Sequence, residues 1–277
     1  MSQHPIDPTS TPSPDNAGPH PWRRLVSIGD SFTEGIGDPD PAAPGGNRGW
    51  ADRVAEVLAD QVEDFAYANL AIRGKLIGQI VAEQVEPALA LQPDLITFCA
   101  GGNDVIRPGT DPDEIAERFE DAVIRLRSGD ATLVVFTGID VGFSPVFRPF
   151  RGKIAIYNEN IRAVAERHDC IVVDQWALKE IQDPRFFADD RLHLNPLGHH
   201  EVARAVLRAL NVPNDLAPMQ PEPMPQLRWR QARANDLVWA RTHLVPWVLR
   251  RIRHESSGDH VQPKRPEPAP LRATKQQ

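Results

Sequence analysis

A serine, a histidine and an aspartate in this sequence have the side chains that nucleophilic catalysis requires. Ser31 lies in the segment GDSFTEG at 29–35, directly after the apolar run LVSI at 25–28. Asp190 precedes His193 by three residues in the segment DRLHLNPLGH at 190–199. A serine hydroxyl is a poor nucleophile at neutral pH and needs a neighbouring base, for which imidazole is suited. We expect His193 to take the Ser31 proton and Asp190 to orient the imidazole ring.

The position of Ser31 relative to the apolar run supports this chemistry. A short apolar run predicts a buried strand, and the glycine-flanked turn after it places the serine at the carboxyl end of that strand. In open α/β sheets this end is where ligands bind. Asp189 is an alternative orienting acid, but the three-residue spacing favours Asp190. Taken singly, Ser31 also fits a helix cap and His193 a structural histidine, and we expect Asp30 to support the turn.

Two further polar segments follow apolar runs. NLAIRG at 69–74 follows the run near 65–68, and GGND at 101–104 follows LITFCA at 95–100. In their order and placement, the four segments resemble the conserved blocks of the SGNH (GDSL-type) hydrolase family of esterases and lipases. The resemblance covers about residues 23–211.

The resemblance implies a parallel sheet between helices, similar to flavodoxin, and hydrolysis of small carboxylic esters through an acyl-serine. It implies a triad of Ser31, His193 and Asp190. It also implies an oxyanion hole made by the backbone N–H groups of Ser31 and Gly74 and the side-chain amide of Asn103. Since Gly74 has no Cβ, a substrate could approach its N–H closely. Acyl transfer by the same triad stays open as an alternative to hydrolysis.

Other classes of function fit the residues less well. A non-catalytic, flavodoxin-like binding module is disfavoured because no member of the catalytic set is missing. The G-x-S-x-G elbow of α/β-hydrolases is absent, because residue 33 is threonine. The acids and histidines at 189–200 match no metal-ligand signature, so we expect neither a metal nor another cofactor, and we read His199 and His200 as structural.

Alternating apolar runs and helical patterns predict an α/β fold. The alternation implies a parallel sheet with right-handed crossovers. Together with the family resemblance, it leads us to expect a three-layer α/β/α sandwich with a parallel, flavodoxin-like five-stranded sheet. The expected strands are 24–29, 64–69, 95–100, 132–137 and 170–174. The expected helices are 49–61, 76–91, 112–128, 152–168 and 197–210. Cys99 and Cys170 fall in predicted core strands, where cysteine acts as a small apolar residue.

The two ends of the chain differ in composition from its middle. Among its 277 residues the chain has 27 prolines. We expect a disordered proline-rich tail at 1–21, a catalytic domain at 22–211, a proline-rich linker at 212–227, a helical extension at 228–254 and a disordered tail at 255–277. Neither a secretory signal nor an apolar run of bilayer length is recognisable, so we expect a cytoplasmic location.

The predicted extension is basic, whereas the rest of the chain is acidic. From residue 228 onward there are eleven Lys and Arg against four Asp and Glu, which is a net charge of +7. The whole chain has a net charge of −7, so the residues before 228 carry −14. One hypothesis is a peripheral contact with an anionic membrane, anchored by Trp229, Trp239 and Trp247. The other is docking on the acidic domain, which the charges favour. Pro246 should kink or divide the helix, and the acidic body opposes nucleic-acid binding.

A longer loop at 139–151 follows the fourth predicted strand on the catalytic side. It contains Phe143, Val146, Phe147 and Phe150. These residues could line an acyl pocket or form a lid, or they could only pin the loop to the core. Arginines near the predicted site could meet an anionic head group; they are Arg107, Arg148 and Arg151.

Overall fold

A six-stranded sheet forms the centre of the computed structural model, which describes residues 20–224, 228–252 and 256–271. The strands are β1 Arg24–Gly29, β2 Ala66–Asn69, β3 Leu95–Cys99, β4 Thr132–Phe136, β5 Ile171–Val173 and β6 Arg265–Pro270. The strand order is β5-β4-β3-β1-β2-β6, and β1 to β5 are parallel. The predicted α/β fold with a parallel sheet is confirmed, but the sheet has six strands and not the expected five, because β6 adds to its edge.

Helices cover both faces of the sheet. Successive strand residues point to opposite faces, so Leu25 packs in one apolar cluster and Val26 in the other. The helices of the sandwich are α1 Ser31–Glu34, α2 Gly49–Gln61, α3 Ile77–Ile80, α4 Glu86–Ala90, α5 Gly102–Val105, α6 Pro112–Leu126, α7 Arg151–Arg167 and α8 Pro196–Ala209. One face is covered by α2 and α8, and the other by α3, α4, α6 and α7.

The predicted helix at 76–91 is interrupted by a π-helical turn at Val81–Val85, between α3 and α4. Gln84 lies in this turn and is buried. Its side chain accepts a hydrogen bond from the Gly29 N–H at 2.8 Å and donates one to the Gly29 carbonyl at 2.9 Å. This pair of bonds fixes the end of β1 two residues before Ser31.

The sixth strand contradicts the disorder expected of the tail at 255–277, as far as residues 256–271 are concerned; residues 255 and 272–277 lie outside the described residues. β6 pairs antiparallel with β2 and covers the edge of the sheet. The buried Nζ of Lys264 lies 2.9 Å from Oδ1 of Asp52 and donates to the Arg48 carbonyl at 2.7 Å. The proline-rich composition suggested disorder, but an edge strand tolerates proline. The ion pair joins distant parts of the sequence, so no local pattern reveals it.

Replacing Lys264 with methionine is expected to lower the free energy of unfolding by about 3 kcal/mol, because the buried Asp52 would lose the nearer of its two cations and keep only Arg265, whose Nη2 lies 3.9 Å from Oδ2. Denaturant unfolding measures the loss. Lys179→Met is the matched control on an exposed lysine and should cost less than about 0.5 kcal/mol. A cost for Lys264→Met no larger than that of the control would show that the ion pair does not hold the strand.

The other predicted segments are described only in part. Residues 1–19 of the expected N-terminal tail lie outside the described residues. His20 is buried and hydrogen-bonded to the Leu58 carbonyl at 2.9 Å, so the prediction of disorder is wrong for this residue. Residues 212–224 form neither helix nor strand, but Arg204 donates to the Leu216 carbonyl at 2.8 Å and ties the segment to α8.

The extension forms two helices, α9 Trp229–Trp239 and α10 Val245–Ile252, joined by a π-helical turn at Ala240–Leu244. Proline clashes with the carbonyl four residues before it, and in this chain that carbonyl lies in the π-helical turn. The division expected at Pro246 therefore appears as a change of helix type. Within the described ranges, no helix has the length and apolar character needed to cross a bilayer. The cytoplasmic location stays a prediction.

Candidate active site

Ser31, His193 and Asp190 form one chain of hydrogen bonds. Nε2 of His193 lies 3.1 Å from the Ser31 Oγ, and Nδ1 lies 2.6 Å from Oδ2 of Asp190. Ser31 is the first residue of α1, directly beyond β1. The turn that carries Asp190 and His193 leads into α8, whose first turn is capped by Asn195. The fold thus brings together side chains that are far apart in the sequence.

The Asp190 carboxylate holds the imidazole in one tautomer. Its Oδ1 accepts backbone N–H bonds from Leu192 at 2.9 Å and from His193 at 3.0 Å. Partial burial raises the pKa of Asp190, but the hydrogen bonds and charge of His193 outweigh burial and lower the pKa to about 2. The ionised carboxylate therefore accepts the Nδ1 proton, which leaves the Nε2 lone pair directed at Ser31. The neighbouring Asp189 is exposed.

Asp30 and Asn103 connect the serine turn to the end of β3. Asp30 caps α1 by accepting from the Phe32 N–H at 3.1 Å, which agrees with its expected role in the turn. Its other carboxylate oxygen accepts from Nδ2 of Asn103 at 3.1 Å. Burial raises the pKa of Asp30 to about 6, partly offset by the Phe32 hydrogen bond. The Asn103 amide lines the cavity beside Ser31 and also contacts the Lys75 carbonyl at 3.2 Å.

Gly74 lies between two residues that are tied to this network. Arg73 donates its backbone N–H to the buried Glu34 of α1 at 2.7 Å, and the Lys75 carbonyl meets Asn103. Gly74 has a left-handed φ of +74°, and a Cβ there would collide with the Ser256 hydroxyl. The space that a side chain would take is therefore filled by the C-terminal segment, not left for a substrate as we expected. Glu34 and Arg73 form an ion pair that no pattern in the sequence indicated.

An apolar cavity of about 220 Å³ opens beside Ser31 and His193. Five residues of the loop at 139–151 line it: Ile139, Val141, Phe143, Ser144 and Phe147. Of the four apolar residues named from the sequence, Phe143 and Phe147 are among them, whereas Val146 and Phe150 are not among the described lining residues. The three arginines named from the sequence are not among its described lining residues, whereas Arg191 is. Further lining residues are Phe32, Ile36, Ala100, Val105, Ile106, Phe136, Ile154, Tyr157, Phe187, Leu192 and Leu194.

Cys99 lines the same cavity. Burial raises the pKa of its thiol well above the ordinary value, so the thiol stays protonated at neutral pH. A protonated thiol is a poor nucleophile and a poor metal ligand. Among the described residues, no group of three or more His, Cys, Asp or Glu side chains could hold a metal ion.

His199 is a buried structural histidine whose ring forms hydrogen bonds with two backbone groups. Nε2 lies 3.1 Å from the Ile36 carbonyl, and Nδ1 lies 3.2 Å from the Trp50 N–H. The ring therefore carries its proton on Nε2 and accepts at Nδ1. Burial lowers the pKa of His199 to about 4. The neutral ring joins the turn after α1 to the start of α2.

Acidification from pH 6.5 to 4 is expected to destabilise the protein through His199. In this window the unfolded chain binds a proton at this residue and the folded chain does not, so the free energy of unfolding falls as the pH falls. Denaturant unfolding across the window measures the slope, and His199→Gln should make it shallower. An equal slope in both proteins would contradict the assignment.

The C-terminal helices α9 and α10 lie against the entrance of the cavity beside Ser31 and His193. The Trp247 ring meets Phe147 edge-on at 6.0 Å, and Arg191 stacks over Trp239 at 4.8 Å. Arg191 also pairs with Asp236 of α9 at 2.8 Å. In this ion pair the cation comes from the domain and the anion from the helix, the reverse of the pairing expected from the net charges.

A parallel α/β sandwich with a Ser-His-Asp hydrogen-bond chain at the carboxyl end of its strands defines a class of serine-dependent hydrolases. Residues 27–201 match the model of the GDSL-like lipase/acylhydrolase family, and the chain belongs to this family. The protein is therefore a carboxylic ester hydrolase, as the sequence predicted.

Two curated proteins and several solved structures are similar to this chain. It is 23% identical over 219 residues to the uncharacterised protein YpmR of Bacillus subtilis, covering 67% of this chain and 80% of YpmR. It is 25% identical over 206 residues to an acetylxylan esterase of Geobacillus stearothermophilus, covering 68% and 93%.

The fold resembles that of LAE5, described as an alpha/beta hydrolase enzyme from the metagenome of Lake Arreo. The TM-score is 0.59 with 23% identity, covering 70% of this chain and 97% of LAE5. A lipolytic protein of the G-D-S-L family from Veillonella parvula gives a TM-score of 0.53 with 19% identity, covering 67% and 96%.

Proposed function

We propose that the protein cleaves carboxylic esters through an acyl-serine intermediate, with Ser31, His193 and Asp190 as its triad. The hydrogen-bond chain of these residues at the mouth of an apolar cavity is the observation that carries the proposal. His193 Nε2 takes the Ser31 proton while Oγ forms a bond to the ester carbonyl carbon. The tetrahedral intermediate then expels the alkoxide, which receives that proton from His193 and leaves as the alcohol.

The second half-reaction releases the acid. Water bonds to the acyl carbon and gives a proton to His193, which returns it to the Ser31 oxygen as the acyl bond breaks. In both halves the carbonyl oxygen gains negative charge. We expect the backbone N–H of Ser31, at the start of α1, the N–H of Gly74 and the amide of Asn103 to bind this charge. For that, Asn103 exchanges its contact with the Lys75 carbonyl for the substrate oxygen. Ser31 and Asn103 line the cavity, which supports their part in the oxyanion hole, whereas the part of Gly74 rests on the family resemblance alone.

The apolar cavity selects the acyl part of the ester. A dry cavity of 150 Å³ holds a molecule the size of benzene, and this cavity is larger, at about 220 Å³. We expect an acyl chain of several carbons, longer than acetyl. In this respect the protein would differ from its relative described as an acetylxylan esterase.

A series of p-nitrophenyl esters of increasing acyl length tests the proposal. Wild-type kcat/KM should rise from acetyl to about hexanoyl and then fall, because each buried CH₂ contributes about 0.8 kcal/mol until the cavity is full. The matched variants Val141→Phe and Val141→Ala should move the optimum to shorter and longer chains, respectively. A fluorophosphonate probe followed by mass spectrometry should label Ser31. No hydrolysis and no label would refute the proposed function.

Acyl transfer is the second candidate, since water and an alcohol can attack the same acyl-serine. Adding glycerol to the assay and measuring released acid and new ester separately distinguishes the two. Free acid as the main product supports hydrolysis, whereas new ester as the main product assigns transfer. A non-catalytic binding module would give neither product.

We also propose that the outer face of the two C-terminal helices contacts an anionic lipid surface. Large apolar side chains are exposed there, among them Leu237 at 68% and Leu249 at 43%. The exposed Arg230, Arg233 and Arg241 lie on the same helices. Trp229 is 65% exposed, whereas Trp239 and Trp247 face inward, toward the catalytic domain. The three tryptophans therefore do not act together as membrane anchors.

Sedimentation with vesicles tests this contact. The wild-type protein should co-sediment with phosphatidylserine vesicles and not with phosphatidylcholine vesicles, and added salt should release it. Leu237→Glu should weaken binding and leave the hydrolysis of soluble esters unchanged. Equal sedimentation with both kinds of vesicle, or none, would contradict the contact.

A further inference from the structure

A second cavity of about 240 Å³ lies on the other side of His193, between the catalytic domain and the C-terminal helices. Phe147, Leu192 and His193 border both cavities. Ser31 borders only the first, whereas Asp190 borders only the second. The second cavity is closed by helix residues: Trp239, Thr242, His243, Leu244, Pro246 and Trp247.

We propose that this second cavity is the alcohol subsite of the esterase and that it accepts an alcohol with hydroxyl groups of its own. The inference rests on the proposed function, because it assigns the side of His193 from which the alcohol leaves. His193 gives its proton to the leaving alkoxide oxygen, so the alcohol departs beside the imidazole. The proton leaves from Nε2, which faces Ser31, so the alkoxide oxygen lies on the Ser31 side of the ring. With the acyl chain in the apolar cavity, the rest of the alcohol extends past His193 along Phe147 and Leu192, which border both cavities, into the second one.

The chemistry of the walls identifies the class of alcohol. The Trp239 and Trp247 rings offer apolar surface, while Thr242 and His243 carry polar atoms on the same wall. The indole Nε1 of Trp239 is buried and finds no acceptor among the described residues. A buried indole N–H usually has a partner, and leaving it without one costs about 1–3 kcal/mol. Solvent does not reach this nitrogen, so a hydroxyl oxygen of the bound alcohol supplies the acceptor once the indole ring turns toward the cavity, whereas Thr242 and His243 line the same wall and bind hydroxyl groups directly. A plain alkyl alcohol can use neither kind of contact.

One wall of the subsite belongs to a part of the chain that the family match does not include. That match ends at residue 201, and the wall is formed by the helices from 229 onward. Arg191 holds this wall in place, because it pairs with Asp236 and stacks over Trp239. The same helices thus have two separate faces, an inner one for the alcohol and an outer one for lipid.

Butyrate esters that differ only in the alcohol test the subsite. Ethyl butyrate has a small alcohol, hexyl butyrate an apolar one, and glycerol monobutyrate and a methyl glucoside monobutyrate have hydroxylated ones. Butyric acid release by the full chain is measured by titration at constant pH. Wild-type kcat/KM should be higher for at least one hydroxylated ester than for the hexyl ester. The glycerol and glucoside arms distinguish a glyceride from a sugar ester as the source of the alcohol.

Two conservative variants remove single polar groups from the wall. Trp239→Phe keeps a ring under Arg191 but deletes the N–H, and Thr242→Val deletes the hydroxyl. Each should lower kcat/KM for the preferred hydroxylated ester about fivefold to tenfold through KM, the loss expected for one hydrogen bond. Ethyl butyrate hydrolysis should change less than about twofold. Trp176→Phe is the matched control, since Trp176 is not among the described residues that line either cavity.

Three outcomes would overturn the subsite. One is a hexyl ester that is preferred over both hydroxylated esters, and another is no effect of either variant on the preferred hydroxylated ester. The third is an equal loss on all four esters, which would assign the wall a structural role only. Ethyl butyrate also separates the two proposals: Ser31-dependent hydrolysis of this ester keeps the proposed function even when the subsite fails. If no ester is hydrolysed, both are overturned.

Discussion

Replacing Ser31 with alanine is expected to lower kcat for p-nitrophenyl butyrate by on the order of 10⁵ to 10⁶. The Oγ is the only atom of this side chain that reaches His193 Nε2, at 3.1 Å, and without it no acyl-serine can form. The oxyanion donors would leave a small residual rate. Steady-state hydrolysis measures the loss, and thermal unfolding shows whether the variant is folded.

A serine on the preceding strand provides the control for this variant. Ser27 is buried in β1 and lies 2.8 Å from the Thr97 hydroxyl, away from the cavity. Ser27→Ala makes the same chemical change four residues earlier and should keep kcat within about threefold, since it costs one buried hydrogen bond and no catalytic group. Comparable losses in both variants would mean that the Ser31 effect is structural.

Replacing Asp190 with asparagine is expected to lower kcat by about 10⁴, the effect of a wrong histidine tautomer in other triads. Asparagine keeps the Oδ1 that accepts from the Leu192 and His193 N–H groups. Its Nδ2 would donate to His193 Nδ1, at the place where a carboxylate oxygen now accepts. The ring proton would then move to Nε2, and His193 could no longer accept from Ser31.

The adjacent acid separates the role of Asp190 from a general effect of negative charge. Asp189 is exposed, and Asp189→Asn removes the same charge one residue away. We expect kcat to change less than about threefold in this variant, because an exposed charge is screened by solvent. If Asp189→Asn lost as much activity as Asp190→Asn, the assignment of the orienting acid would be wrong.

Local patterns in the sequence predicted most of the sandwich. Helix α2 has the predicted bounds of 49–61, and β1 those of 24–29, because a short buried strand or an amphipathic helix depends mainly on the spacing of its own apolar residues. The π-helical turn at Val81–Val85 was missed. Its cause is not local, since it coincides with the two hydrogen bonds between Gln84 and Gly29 of another element.

The edge strand β6 shows where local patterns fail. Residues 265–270, with the sequence RPEPAP, have the composition of a disordered tail. Their order comes from pairing with β2 and from the burial of Lys264 against Asp52, which are both long-range interactions. A charged residue in a polar segment gives no sign of the distant carboxylate that will bind it.

The sequence by itself determined the family, the parallel α/β fold and the residue types of the candidate triad. These depend on short segments and on the rule that parallel strands bring their carboxyl ends to one edge. Only the tertiary structure decided that the C-terminal helices place Trp239 and Trp247 on the cleft, and that Ser256 fills the space beside Gly74. Each of these contacts joins the end of the chain to residues far from it in sequence, so shape and burial select the partners and spacing cannot.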